Sequence, residues 1–140
     1  MKKDIKYCLD TNIVSEILRK NENVRKYMEN ALKNDYPVYI CSIVYYEIVR
    51  GLKTAGKTRR LKEFLTLHET LPHLFLDRES YEVIEKATEI YVQLHRGNQI
   101  EDNDIYIGAI ALINDCTLVT ANTRHFSRIE GLKIVNWCEN

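Results

Sequence analysis

Residues 7–18 read YCLDTNIVSEIL. The run Ile5 to Leu9 predicts a short strand that stops at Asp10-Thr11-Asn12, three residues suited to capping a helix, after which Val14, Ile17 and Leu18 recur at helical spacing. The reading is strand, break, helix, with an acid at the break. The pattern then returns. Val38–Cys41 predicts a strand after Pro37, and Ile43–Leu52 the helix that follows it, stopped near Gly51. Further strands are expected at His73–Leu76, Thr117–Thr120 and Lys133–Val135. The intervening helices carry Val24, Tyr27, Met28, Ala31 and Leu32, span Thr58–His68, and include a long amphipathic one opened by Ser80 and ended at Gly97-Asn98. That long helix is expected to place Tyr81, Ile84, Ala87, Tyr91 and Leu94 on one face. Asp104–Asn114 is apolar nearly all round, hence a buried helix, and Asn122–Phe126 a short one. Strands alternating with helices predict an α/β fold, a three-layer α/β/α arrangement around a parallel sheet of four to five strands. Right-handed crossovers put the carboxyl ends of those strands on one edge, where such sheets bind ligands. With no repeat, linker or low-complexity tract, residues 1–140 are expected to form a single domain.

Composition narrows the class. Twenty basic residues balance twenty acidic ones, so any surface for nucleic acid must be local. Cys8, Cys41, Cys116 and Cys138 are far apart and form no C-x-x-C, which predicts buried reduced thiols rather than a zinc site or disulfide framework. The start, MKKDIKYCLD, has no apolar signal-peptide core, and no run approaches the ~18 apolar residues of a membrane span. A cytoplasmic protein that does not enter the membrane is expected.

The chemistry lies in acids placed beside apolar runs: Asp10, Glu47 in CSIVYYEIVRGL, and Asp102 and Asp104 in IEDNDIYIGAIAL, with the polar Asn122 in LVTANTRHF as a fifth position. A carboxylate at the edge of a core is costly unless it is paired, hydrogen-bonded or bound to a cation. Taken singly, each has a plainer reading: Asp10, Asp102, Asp104 and Asn122 as helix caps, Glu47 on the wet face of its helix. Taken together at one sheet edge, they point to a divalent cation, and hard oxygen donors select Mg²⁺ or Mn²⁺. A basic strip, RGLKTAGKTRRLK, begins one turn after Glu47. Its Arg50, Lys53, Lys57, Arg59 and Arg60 read either as a solvated face or as a clamp for a phosphate backbone. His95 and His125 read as surface or core residues, and Ser15 and Ser42 lack the partners of a nucleophilic triad. No glycine-rich phosphate loop is present.

The segments YCLDTNIVSEIL, YYEIVRGL, IEDNDIYIGAIAL and LVTANTRHFSRIEGLKIVNW occur in this order along nearly the whole chain. In that order they resemble the PIN-domain ribonucleases, and among them the VapC toxins of toxin–antitoxin pairs, most closely the group that cuts initiator tRNA. The resemblance implies a PIN-like fold with Asp10, Glu47 and Asp104 as catalytic, metal-binding carboxylates. It implies that Asp102 assists them, that Thr11 and Asn12 support the pocket through hydrogen bonds, and that Asn122 stands where many members carry a fourth acid. His125 likewise stands where an acid is common. It further implies an RNA substrate, tRNA above all, a VapB-type antitoxin as partner, and a homodimer. Two other readings compete. A phosphoryl-transfer domain would want D-x-D where Asp10-Thr11-Asn12 stands, and a binding module with a dead pocket would not need three intact carboxylates.

Overall fold

The computed structural model describes residues 4–77, 80–95, 97 and 99–139. The basic start, residues 1–3, and Asn98 of the expected helix stop lie outside the described residues. In chain order the elements are β1 (Tyr7–Leu9), α1 (Thr11–Leu18), α2 (Glu22–Lys33), β2 (Val38–Cys41), α3 (Ser42–Thr54), α4 (Thr58–Thr70), β3 (His73–Leu74), α5 (Glu82–Leu94), α6 (Asp102–Ile113), β4 (Thr117–Val119), α7 (Thr123–Phe126) and β5 (Ile134–Val135). The strands form one parallel sheet in the order β3-β2-β1-β4-β5.

That order fixes where a site can form. From β1 the chain steps outward to β2 and β3, then returns to lay β4 and β5 on the other side of β1. The crossovers on either side of β1 therefore diverge, and a crevice opens beyond the carboxyl ends of β1 and β4. Leu9 lies opposite Val119, so the residues that follow them, Asp10 and Thr120, face each other across this crevice. The central strands are apolar because helices cover both their faces: Cys8, Leu9, Val38, Ile40, Leu118 and Val119 are all buried.

Helix α6 is buried along most of its length, through Ile105, Ile107, Gly108, Ala109, Ile110 and Ala111, and packs on α5, α3 and β4. Gly108 permits a close approach, since a Cβ there would stand 2.9 Å from Cδ1 of the buried Ile129. The face expected for α5 is corrected. Its core stripe is Val83, Ala87, Ile90 and Leu94, while Tyr81 and Tyr91 are exposed. The spacing 83, 87, 90, 94 follows the 3.6-residue repeat as closely as the expected set does, and the compact aliphatic side chains take the inner stripe. The helix begins at Glu82 rather than Ser80, and the Asp77 carboxylate accepts from the backbone N–H groups of Val83 (3.3 Å) and Ile84 (3.2 Å). All four cysteines are free, with Cys8, Cys41 and Cys116 buried. No helix among the described residues is long and apolar enough to cross a membrane.

Candidate metal centre

Asp10 ends β1 and caps α1, and it is almost wholly buried. Its Oδ1 accepts from the Thr11 N–H (2.8 Å), and its Oδ2 accepts from the Thr120 hydroxyl (2.8 Å) and the Asn12 amide (3.1 Å). Burial nevertheless pushes its carboxyl up to about 6, against the pull of Thr120 and Thr11 and with the charges of Asp104 and Glu47 adding to the rise. The charges that raise it belong to two more carboxylates.

Glu47 projects from α3, and its Oε1 accepts from the Thr11 hydroxyl at 2.7 Å, which ties α3 to α1. Arg50, one turn on, brings Nη2 to 3.8 Å from Glu47 Oε2 and lays its guanidinium 4.8 Å from the centre of the exposed Tyr46 ring. Asp104 lies in the first turn of α6 and is half-buried. Burial, then the charges of Glu47 and Glu101, push its carboxyl up to about 6 as well. Its Oδ2 stands 3.2 Å from Nε2 of His125 on α7. Burial first, then Arg128, pulls the His125 imidazole down. An ion pair would push the two groups the other way, so at neutral pH the contact joins a carboxylate to a neutral imidazole.

Asp10, Glu47 and Asp104 thus come from three separate segments and act electrostatically on one another. Thr11 and Asn12 each bridge two elements: Asn12 holds Asp10 through its amide N–H and takes the Ala121 N–H (3.1 Å) on its Oδ1. Asn122 is exposed and contributes through its backbone, its N–H donating to the Thr120 hydroxyl at 3.0 Å. Two residues here escaped the sequence reading. Thr120 follows β4 as Asp10 follows β1, and the strand register is the signal that pairs them. Glu101 precedes Asp104 by one helical turn and acts on Asp104, Arg50 and His125.

Asp102 lies on another face of α6. At about 100° per residue it lies about 200° around α6 from Asp104. It lines a cavity of ≈ 280 Å³ between α5 and α6 with Ala87, Tyr91 and Tyr106. The basic strip divides too. Lys53 and Lys57 are exposed, and Arg59 reaches Glu63 at 3.7 Å with its side chain 93% exposed. Arg60 instead donates from Nη1 to the Leu18 carbonyl at 2.8 Å, closing the end of α1.

Among the described residues no three His, Cys, Asp or Glu side chains are grouped closely enough to hold a metal ion. The donor set still fits a divalent cation. Three carboxylates, two of them raised by burial and mutual repulsion, face one crevice with hard oxygens and a charge that the neighbouring arginine offsets only in part.

Comparison with known proteins identifies the family and the fold. The sequence pattern of the PIN domain matches residues 7–132. Ribonuclease VapC2 of Rickettsia felis is 31% identical over 138 residues, covering 94% of this chain and 97% of that protein. The structure of VapBC2 from Rickettsia felis bound to a promoter DNA fragment superposes with a TM-score of 0.83 at 28% identity, covering 95% of this chain and 99% of that one. DNA-bound VapBC from Salmonella typhimurium gives 0.81 at 29% identity, covering 96% and 99%.

Proposed function

The chain belongs to the PIN-domain family and, within it, to the VapC ribonucleases, and from that premise we propose that it is the toxin of a type II toxin–antitoxin pair. Its activity is metal-dependent endonucleolytic hydrolysis of RNA, in the cytoplasm, with tRNA and initiator tRNA in particular as substrate. What supports this is the gathering of Asp10, Glu47 and Asp104, from three segments, at the crevice between β1 and β4.

Asp10, Glu47 and Asp104 would hold Mg²⁺ or Mn²⁺, which when bound lowers the pKa of a coordinated water and offsets charge on the scissile phosphate. Thr11, Asn12 and Thr120 fix the carboxylates through the hydrogen bonds described above, so their oxygens need no reorganisation at the moment of reaction. A carboxylate of this set takes the proton of the attacking water. Arg50 contacts the phosphate next to the acids, and Lys53, Lys57 and Arg59 follow the RNA backbone along the outer end of α3 and the start of α4. In-line attack by water leaves a 5′-phosphate and a 3′-hydroxyl.

A VapB-type antitoxin restrains the enzyme by placing a basic group among the carboxylates, and two copies of the chain pair as a homodimer. Addition of the antitoxin therefore lowers Mn²⁺ affinity, which titration calorimetry reads. The activity test is cleavage of end-labelled initiator tRNA in Mg²⁺, with EDTA and Asp10→Asn as controls. Specific cutting abolished by both controls, with a 5′-phosphate on the product, is the expected result. A 2′,3′-cyclic phosphate would reject the water mechanism, and an inert folded protein on every RNA would favour a binding module.

A further inference from the structure

The proposed chemistry leaves His125 without a task, although no other imidazole touches the acids gathered at the crevice among the described residues. It rides on α7, directly after the segment that seats Asp10. The Asn122 N–H donates to the Thr120 hydroxyl, and the Asn122 carbonyl accepts the His125 N–H at 3.2 Å. The backbone that completes the seat of Asp10 therefore also aims this ring, and Nε2 arrives 3.2 Å from Asp104 Oδ2. Helix α7 is short and packs on β5, with Phe126, the neighbour of His125, fully buried. That anchor limits how far the ring can swing.

Resting on the reading of the acids as a divalent-cation site, we propose that His125 is a nitrogen ligand of the cation that Asp104 holds. The centre is then a mixed nitrogen and oxygen site that favours Mn²⁺ and Co²⁺ over Mg²⁺. Two donors at right angles on one ion, each about 2.1 Å from it, stand about 3 Å apart. The separation of Nε2 and Oδ2 matches that spacing. Asp10 and Glu47 are each engaged by hydroxyls, whereas Asp104 stands against this ring. Mg²⁺ prefers oxygen, while imidazole raises affinity along the first-row transition series. An imidazole donor beside Asp104 thus biases which ion the centre selects.

The test uses the full-length, metal-stripped protein with Mn²⁺ alone as the probe. Pulsed electron paramagnetic resonance of bound Mn²⁺ should show coupling to a ¹⁴N nucleus in the wild type and none in His125→Ala. Calorimetric titration should show Co²⁺ and Mn²⁺ affinity falling about tenfold or more in His125→Ala and His125→Gln, with Mg²⁺ affinity changed by less than about threefold. His125→Asp, an all-oxygen centre, should shift the preference toward Mg²⁺. Mn²⁺ bound by the wild type without nitrogen coupling, or equal losses for all three cations, would overturn the assignment and leave the acidic centre standing. Failure of the folded wild type to bind any divalent cation would overturn both.

Discussion

Asp10 condenses the problem this chain solves: a carboxylate set in the core beside two others, its pKa raised to about 6. In the metal-free protein that shift has a definite sign. Below about pH 4 the folded and unfolded states both hold the proton. Between about 4 and 6 the folded state holds more, so stability falls as pH rises, and above about 6 the whole penalty is present, on the order of 3 kcal/mol. Asp104 acts in the same direction. Asp10→Asn removes this dependence at one site. In EDTA, the Tm of Asp10→Asn relative to wild type should therefore be more favourable at pH 7.5 than at pH 5, and a gap independent of pH would refute the charge penalty. Thr120 is the counterweight, since its buried hydroxyl pulls the Asp10 carboxyl down. Thr120→Val should destabilise by about 1–3 kcal/mol in thermal or urea unfolding and weaken Mn²⁺ binding, with Thr120→Ser restoring both. Asp10, Glu47 and Asp104 each have a plain reading alone, as a cap or on a wet helix face, and stand out in the sequence only as a set expected at one sheet edge. Thr120 does not, because a threonine ending a strand has many plain readings and only the register singles it out.

Helices decide which of two neighbouring residues serves. Asp102 and Asp104 share a turn of α6 but not a face, and the partner of Asp104 on its own side is Glu101. Asp104→Asn should abolish divalent-cation binding and RNA cleavage. Asp102→Asn should leave both within about twofold, as read by calorimetry and by the cleavage assay. Two acids two residues apart look equivalent in sequence until the helix phase is known, and the start of α6 at Asp102 is what sets it. The same limit governs α5, where two stripes fit the helical repeat and packing chose the aliphatic one. It governs the basic strip as well, since nothing in RGLKTAGKTRRLK foretells that Arg60 turns back to the end of α1. Arg60→Ala should cost about 1 kcal/mol of stability, read by urea unfolding, with little effect on RNA affinity.

Across the whole molecule the charges sum to zero, so binding of RNA cannot draw on a general positive field. Its salt dependence then reports the local strip. With Lys53 and Lys57 both replaced by alanine, the slope of log K against log salt should become shallower by about 1.4, the value for two phosphate contacts on a single strand. An unchanged slope would place the RNA elsewhere. The alternation of strands and helices was legible end to end, since each strand is short, apolar and bounded by turn residues. Strand order was not. The return of β4 to the far side of β1 is a tertiary choice, made by which helix faces can be buried together, and it creates the crevice.

That return has a consequence in time. The Thr120 hydroxyl that seats Asp10 is 110 residues downstream of it. During synthesis the amino-terminal strand, the first helices and even Glu47 emerge and begin to fold long before β4 exists. A nascent chain in that interval carries the first acid without its seat and without Asp104. The proposed nuclease is therefore inert until β4 has been made and has paired beside β1, so its activity arrives only late in the making of the domain.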